Sequence, residues 1–390
     1  MQKVIKPGRF EVKMWLNQLD EGTLRQVTNL SNFPFVFKHI ALMPDAHSGY
    51  GMPIGAVLPS SEVVVPNAVG VDIGCGMCVV PTNISAKALS KRVLTAITED
   101  VKSCVPVGFK RHKTEVDPSF MPQDYDVDRM QIVRQEYSSA LTQLGTLGSG
   151  NHFIEIQKDS TQQVWLMIHS GSRNIGYKVA AHYNQTAKSI NKKMGCKVPP
   201  QYDLAYLPID HDGARKYFDE MNYCVDFALA NRKLIMKRLK EVVSSHFADA
   251  TFGSLINIAH NYASYEMHFG RRVLVHRKGA TSAKKNEKGI IPGSQGTQSY
   301  IVEGLGNPDS FMSCSHGAGR LMSRTQAVKN LNLKEEVEKL NSKGIIHGIK
   351  SKKNLDEAPS AYKNITDVMA LQSNLVKVIN ELFPLAVIKG

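Results

Sequence analysis

Short apolar runs alternate with longer stretches of helical period along the chain, which predicts a mixed α/β fold. The apolar runs are bounded by glycine, proline or polar residues, as strands are. They predict strands over residues 53–58, 63–65, 77–80, 164–168 and 273–275. The run at 164–168 is apolar throughout and leads into His169, which is the pattern of a buried strand with a polar side chain at its tip.

Apolar residues at helical spacing predict helices over residues 85–101, 212–243, 333–340 and 364–382. Ser85 is available as the N-cap of the first of these helices. Residues 105–130 are polar and contain proline, so an irregular segment is expected there. Residues 277–296 are glycine-containing and too rich in lysine for a core, which predicts a long basic loop. Since no linker rich in Pro, Gly or Ser divides the chain, we expect one intertwined domain over residues 1–390, with central β-sheets flanked by helices.

Composition narrows the class of partner. The chain has 390 residues, 42% of them hydrophobic, and a formal net charge of +13, which suits a polyanion such as nucleic acid. It has no run of 18 apolar residues and no signal-peptide pattern at its start, so neither a membrane span nor secretion is expected. Six unevenly spaced cysteines do not form a disulfide framework, and a cytoplasmic location is therefore expected.

Five short strings, four of them glycine-rich, each carry a residue that can bind a metal ion. They are VGVDIGCGMC (69–78), GSGNHFIE (148–155), HSGSRNIG (169–176), AHNYAS (259–264) and SHGAGR (315–320). Glycine permits the close backbone approach that metal ions and phosphates need. Taken together, a carboxylate, a thiolate and three imidazoles predict a site for one or two divalent ions at Asp72, Cys75, His152, His169 and His260.

Other readings of these strings stay open. Cys75 and Cys78 form a CxxC pair, but no second pair follows, so a zinc ribbon is not expected. A redox pair, or a buried turn with two small thiols, remains an alternative. By ligand type zinc leads, with manganese and iron open.

Two strings point to phosphate chemistry. PGSQGTQSY (292–300) lacks the Walker A pattern, yet its backbone can hold a nucleotide; a simple flexible loop is the alternative. In SHGAGR, His316 lies in a glycine-rich turn close to Arg320, a setting that suits a nucleophilic imidazole and a phosphate-binding guanidinium. Arg173 has a similar setting near His169, and Asp45 is a candidate to orient a histidine ring.

The series MPDAHSGYGMPIG, VGVDIGCGM, GSGNHFIE, HSGSRNIG, HRKGAT, PGSQGT and SHGAGR resembles, in this order, the RtcB family of GTP-dependent RNA-splicing and repair ligases. The resemblance extends from about residue 43 to the end of the chain. It implies that RNA with a 2′,3′-cyclic phosphate or 3′-phosphate end is joined to RNA with a 5′-hydroxyl end, with GTP and two Mn²⁺ ions as cofactors. Gln295 stands where many members have Met, which leaves the details of nucleotide contact open.

The resemblance also implies roles for individual residues. Asp72, Cys75 and His152 would hold one Mn²⁺, and Cys75, His169 and His260 the other. His316 would become guanylylated, with its ring oriented by Asp45, and Arg173 and Arg320 would bind RNA phosphates. The basic loop 277–299 would lie over the nucleotide site. Tyr362 would stack on guanine, Glu155 would read its edge, and GTP would be lined by Asn151, Phe153, Glu155, Asn261, Pro292, Gly293, Ser294, Gln295, Ser299, Gly317, Ala318, Gly319, Tyr362 and Lys389.

Two other functions compete with RNA ligation. One is a metal-dependent phosphohydrolase that opens cyclic phosphates without sealing, and the other is a non-catalytic RNA-binding protein with a structural metal. Neither needs a nucleophilic histidine, so His316 favours the ligase. The physiological RNA, the oligomeric state and any activating protein partner are not determined by the sequence.

Overall fold

Two large β-sheets form the centre of the molecule, and a computed structural model describes all residues from 1 to 390. The strands are β1 (Lys3–Ile5), β2 (Glu11–Met14), β3 (His39–His47), β4 (Ile54–Ser60), β5 (Val63–Val64), β6 (Gly76–Ser85), β7 (Phe153–Lys158), β8 (Gln163–Ser170), β9 (Leu207–Pro208), β10 (Ile256–Ala259), β11 (Asn261–His268), β12 (Arg271–Lys278), β13 (Ala280–Ser282), β14 (Lys288–Ile291), β15 (Ser299–Gly304), β16 (Ser313–Ser315) and β17 (Val376–Lys389). The helices are α1 (Glu21–Ser31), α2 (Pro66–Val69), α3 (Lys91–Cys104), α4 (Gln131–Leu141), α5 (Arg173–Lys193), α6 (Asp212–His246), α7 (Arg324–Asn330), α8 (Leu333–Asn341) and α9 (Ile365–Leu371).

The first sheet has the strand order β1-β2-β3-β4-β12-β11, and the second has the order β10-β6-β8-β7-β17-β15-β14. In the second sheet every neighbouring pair is antiparallel, whereas the first has one parallel pair, β2 with β3. Strands β10 and β11 belong to different sheets, and only His260 separates them along the chain. The two sheets therefore meet at this histidine.

The prediction of a mixed α/β fold is confirmed. The strands predicted over 53–58, 63–65, 77–80, 164–168 and 273–275, and the helices over 212–243 and 333–340, are all present. Residues 105–130 hold only short 3₁₀ turns, as expected of an irregular segment. No helix is both long and apolar enough to cross a membrane.

The predicted start of the first helix, at Ser85, is wrong. Strand β6 continues to Ser85, whose side chain caps only a 3₁₀ turn. The helix α3 begins at Lys91, and Ser90 is its N-cap, because the Ser90 hydroxyl accepts a hydrogen bond from the Val93 amide at 3.3 Å. Ser85 and Ser90 can both cap a helix, but Ser85 is part of the paired strand β6, so the helix begins after Ser90.

The predicted basic loop over 277–299 is also wrong in part. The end of β12 and all of β13 and β14 lie in this range, and only the lysine-rich turn at 284–288 is exposed throughout. Arg277 is buried because Glu266 forms an ion pair with it, and the Lys278 ammonium donates to the carbonyls of Tyr50 and Asn67. Paired and hydrogen-bonded cations of this kind are tolerated in a core, which lysine content alone does not reveal.

The helix predicted over 364–382 ends early. Helix α9 stops at Leu371, and residues from Val376 onward form β17, between β7 and β15 in the second sheet. The tail is rich in Val and Ile and contains Pro384, which suits a strand better than a helix. Its last residues pair with β7, so Lys389 lies opposite Phe153.

Candidate active site

The ends of four strands bring the candidate thiol and imidazole ligands, Cys75, His152, His169 and His260, to one edge of the second sheet. Cys75 immediately precedes β6, His152 precedes β7, and His260 follows β10. His169 lies one residue before the end of β8. Because neighbouring strands are antiparallel, these starts and ends coincide in space. The registers show it: Gly76 pairs with both Ser170 and Ala259, and Phe153 pairs with His169.

The ligand atoms form two groups that share the Cys75 thiol. Asp72, Cys75 and His152 make up one group, and Cys75, His169 and His260 make up the other, with the ligand atoms of each within 4.8 Å of one another. The Cys75 Sγ atom is 3.3 Å from the Nε2 atoms of both His152 and His169. The structure thus brings together all five residues that the sequence singled out as metal ligands.

The second group has the donor chemistry of a metal site. The Nδ1–H of His169 donates to the Asn151 carbonyl at 3.1 Å, so its Nε2 carries a lone pair. That Nε2 faces the Nε2 of His260 at 3.4 Å. Burial lowers the pKa of both rings well below the ordinary value, so both are neutral. Two neutral imidazole nitrogens and a thiol that converge on one point offer the donor set of a cation site, and these residues therefore fit a divalent ion.

The first group also fits a cation. The Nδ1–H of His152 donates to the Leu147 carbonyl at 3.1 Å, and its Nε2 lies 3.0 Å from the Asp72 carboxylate. Despite burial, the hydrogen bond and charge of His152 hold the pKa of Asp72 near 2. Gly171 permits this packing, because a Cβ atom there would lie 2.2 Å from Asp72 Oδ1.

Cys78 does not belong to the site. Its side chain lies in an apolar cluster with Val80 and Ile168, and burial raises its pKa to about 12. The CxxC spacing therefore gives one candidate ligand and one core residue, and both thiols are free.

His316 lies beside the metal-ligand cluster, in the turn that directly follows β16. Its Nδ1 lies 2.6 Å from the Asp45 carboxylate, which also accepts the His316 backbone N–H at 3.1 Å. Asp45 is fully buried in β3, and the Lys363 ammonium donates to the carbonyls on either side of it. Gly319 has φ of +75°, and a Cβ atom there would lie 2.2 Å from the Asp45 carbonyl oxygen. The glycine in SHGAGR thus lets the turn fold onto Asp45.

The rings of His316 and His260 are 4.9 Å apart between centroids. With Nδ1 facing Asp45, the Nε2 atom is the nitrogen left for chemistry. A single cleft of about 840 Å³ is lined by His316 and by Asp72, Cys75, His169 and His260 of the cluster. Its volume is that of a site for a nucleotide-sized ligand.

Most residues predicted to contact GTP line this cleft. They are Asn151, Phe153, Glu155, Asn261, Pro292, Gly293, Ser294, Gln295, Gly317, Ala318, Gly319, Tyr362 and Lys389. Ser299 lies behind the wall, where its hydroxyl accepts the Gly293 amide at 3.2 Å. Of the predicted catalytic residues, His316 and Arg320 line the cleft, whereas Asp45 and Arg173 support it from behind. The Arg173 guanidinium lies 3.3 Å from His152 Nδ1.

A buried carboxylate at one end of the cleft was not anticipated from the sequence. Glu357 pairs with Arg320 at 3.1 Å and with Arg324 at 2.7 Å, and it accepts the Tyr362 hydroxyl. Burial opposes its ionisation, but Lys389 and the two arginines bring its pKa below the ordinary value. Glu357 thus fixes three of the cations and the tyrosine that face the cleft. Its string, LDEAP, has no pattern that singles it out.

Two further polar residues support the site. Gln157 is fully buried and donates both to Glu155 at 2.6 Å and to Ser299 at 3.2 Å. Arg232 is buried without a carboxylate partner, and it donates to the carbonyls of Gly74 and Ser170, next to two ligand residues. Gln157 follows Glu155 by two residues on β7, so strand periodicity was a signal that both share one face. Arg232 sits within the long helix α6 and gave no such signal.

His276, which precedes Arg277, is a core residue. Its ring is fully buried, its Nε2 accepts the Val65 amide at 3.0 Å, and its Nδ1 contacts the Leu58 carbonyl at 2.9 Å. It therefore links β12 to Val65 and to β4, and it does not line the cleft.

Comparison with known proteins identifies the family. A family model described as "tRNA-splicing ligase RtcB" matches residues 26–130 and 121–390. The chain is 38% identical to the RNA-splicing ligase RtcB1 of Escherichia coli (strain ATCC 25922), over 97% of each chain. It is 34% identical to the tRNA-splicing ligase RtcB of Nanoarchaeum equitans, over 95% of this chain and 92% of that protein. With matches of this extent, the chain belongs to the RtcB family of RNA-splicing ligases.

Proposed function

We propose that this protein is an RNA ligase that joins a 2′,3′-cyclic phosphate or 3′-phosphate end to a 5′-hydroxyl end through a covalent histidine–GMP intermediate, with GTP and Mn²⁺. The observation that carries the proposal is His316, held beside Asp45, in one cleft with four of the five candidate metal ligands. A nucleophilic imidazole beside such a cluster suits nucleotidyl transfer. The names of the relatives, RNA-splicing and tRNA-splicing ligase, agree with RNA as the substrate.

The first step uses His316. Its Nε2 attacks the α-phosphorus of GTP, a P–N bond forms, and the bond to the leaving pyrophosphate breaks. Asp45 holds Nδ1 and stabilises the positive charge that develops on the ring. Two Mn²⁺ ions held by Asp72, Cys75, His152, His169 and His260 would supply Lewis-acid stabilisation of phosphate charge and a water of lowered pKa.

Sealing then follows from the same arrangement. An oxygen of the RNA 3′-phosphate attacks the phosphorus of the GMP on His316, the P–N bond breaks, and the imidazole is released. The 5′-hydroxyl oxygen attacks the activated RNA phosphate, and GMP leaves. A cyclic phosphate must first be opened by water. In this scheme Arg320, which lines the cleft, binds RNA phosphates, and Arg173, which lies behind the cleft wall, contacts His152 instead.

We assign the guanine to the end of the cleft that holds Glu155 and Tyr362. Glu155 is buried and held by Gln157, so its carboxyl group has a fixed orientation toward a base edge. The Tyr362 ring offers a stacking face, and Lys389 and Gly293 also line the cleft. We place the protein in the cytoplasm, where its six free cysteines would stay reduced.

Ligation of defined RNA ends tests the proposal. One RNA with a 2′,3′-cyclic phosphate and one with a 5′-hydroxyl are incubated with Mn²⁺ and either GTP or ATP. We expect a sealed product with GTP only, and none from His316→Ala. His347→Ala serves as the matched control, since His347 lies outside the cleft. Opening of the cyclic phosphate without sealing by the wild type would instead support the phosphohydrolase.

A further inference from the structure

A loop beside the cleft presents an aromatic side chain to solvent among cations. Residues 108–113 read GFKRHK, and we name this segment the Phe109 loop. Phe109 is 94% exposed, the most exposed of the large hydrophobic side chains. Lys110, Arg111 and Lys113 are exposed as well, and none of them pairs with a carboxylate. Neither the metal cluster nor the nucleotide contacts give this loop a role.

The Phe109 loop is held firmly although its side chains are free. The Gly108 amide donates to the Gly148 carbonyl at 2.8 Å, and the His112 amide donates to the Thr142 carbonyl at 2.9 Å. The Arg238 guanidinium lies 2.8 Å from the His112 ring. A backbone fixed at both ends presents Phe109 without the entropic cost of ordering a mobile loop on binding.

The anchor of the loop is part of the active-site wall. Gly148 begins the GSGN segment, and Asn151, three residues on, lines the cleft. Three residues span at most about 11 Å of chain. The chain end also packs here: a Cβ atom at Gly390 would lie 1.8 Å from the Gly148 carbonyl and 2.5 Å from the Gly108 amide. Gly390 follows Lys389, another cleft residue. The loop thus adjoins the cleft through two separate segments.

We propose that the Phe109 loop binds single-stranded RNA next to the ligation site, with Phe109 stacking on an unpaired base and Lys110 and Arg111 contacting phosphates. Exposed aromatic rings that stack on bases, combined with cations that follow the backbone, are how proteins bind single strands without sequence preference. The net charge of +13 favours a polyanion over a protein partner at this surface. The inference rests on the proposed function, because it takes RNA as the substrate.

Binding of a fluorescent 12-nucleotide single-stranded RNA with a 3′-phosphate, measured without GTP, tests the inference. We expect Phe109→Ala to raise the Kd roughly tenfold, and Phe109→Tyr to restore it, since base stacking on an aromatic ring typically accounts for a change of this order. Met267→Ala is the control: Met267 is 62% exposed on β11 and does not line the cleft, so its Kd should equal that of the wild type. Thermal unfolding shows that each variant is folded.

The cations and the aromatic ring give different signatures. The double variant Lys110→Ala/Arg111→Ala should lower the slope of log Kd against log salt concentration by about 1.4, since each single-strand phosphate contact contributes about 0.7. With a blunt RNA duplex, Phe109→Ala should have no effect, because paired bases are not free to stack.

A Kd for Phe109→Ala within twofold of the wild-type value would overturn the inference. A change in the oligomeric mass of Phe109→Ala without a change in its affinity for RNA would overturn it as well. Such a result leaves the ligase proposal intact. Failure of the wild type to seal RNA with GTP would instead refute the proposed function, whatever the binding assay shows.

Discussion

The buried carboxyl group of Glu155 predicts a defined pH dependence for the proposed binding of GTP. Burial raises the pKa of Glu155 to about 8, although Lys389 and the Gln157 hydrogen bond act in the opposite direction. Below pH 8 the free protein therefore holds a neutral carboxylic acid at this position. The Watson–Crick edge of guanine offers two N–H groups side by side, and a carboxylate accepts both, whereas the acid accepts only one.

Guanine binding must consequently remove a proton from Glu155 below pH 8. One pKa unit corresponds to about 1.4 kcal/mol, so the contribution of Glu155 weakens about tenfold for each pH unit below 8. At pH 6 the loss is about a hundredfold in Kd, or about 2.7 kcal/mol. Above pH 8 the carboxylate is already ionised and the dependence disappears. GTP is thus expected to bind more tightly as the pH rises from 6 to 8.

Titration calorimetry with GTP at pH 6, 7, 8 and 9 measures this dependence, with Glu155→Gln as the matched variant. Ionisation of the GTP phosphates and of the metal ligands affects both proteins alike, so the ratio of the two Kd values isolates Glu155. We expect the advantage of the wild type to grow about a hundredfold between pH 6 and pH 8 and then to level off. A ratio that stays constant across this range would refute the assignment of Glu155 to the guanine edge.

Three further changes have definite outcomes. Cys75→Ala should lose both metal ions in elemental analysis, because the Cys75 thiol belongs to both ligand groups. Cys78→Ala, the control, should keep them. Two tightly bound ions in Cys75→Ala would contradict a shared ligand. Asp45→Asn should slow transfer of GMP to the protein by about 10²- to 10⁴-fold in a single-turnover assay, as expected for loss of the carboxylate that stabilises a catalytic imidazolium; an unchanged rate would exclude that role. Ser90→Ala should lower the free energy of unfolding by about 1 kcal/mol in urea, with a smaller loss for Ser85→Ala; the opposite order would place the helix start at Ser85.

The candidate metal-ligand residues could be singled out because short strings mark them locally, and all of these strings but that of His260 are rich in glycine. Each of Asp72, Cys75, His152, His169 and His260 lies at or within two residues of a strand end, or in the turn before one. Glycine beside the first four permits close approach. The sequence alone did not show that these residues meet at one edge of the second sheet. That edge results from antiparallel pairing of β6, β7, β8 and β10, whose members are far apart along the chain.

The errors have a common physical origin in tertiary contacts. Arg277 and Lys278 were assigned to a loop because their charges favour solvent, but Glu266 and two backbone carbonyls satisfy those charges in the core. The tail from Val376 was assigned to a helix, but pairing with β7 and β15 makes it a strand. Glu357 escaped notice for the same reason, since its partners Arg320, Arg324 and Lys389 come from other segments.

The central claim is that His316 carries the nucleotide, and peptide mass spectrometry after incubation with GTP and Mn²⁺ tests it most directly. The adduct is acid-labile at a P–N bond, so digestion at neutral or alkaline pH is required. The account predicts a single GMP on the peptide that contains His316, and no adduct in His316→Ala. A GMP found on another residue, or an adduct that persists in His316→Ala, would contradict it.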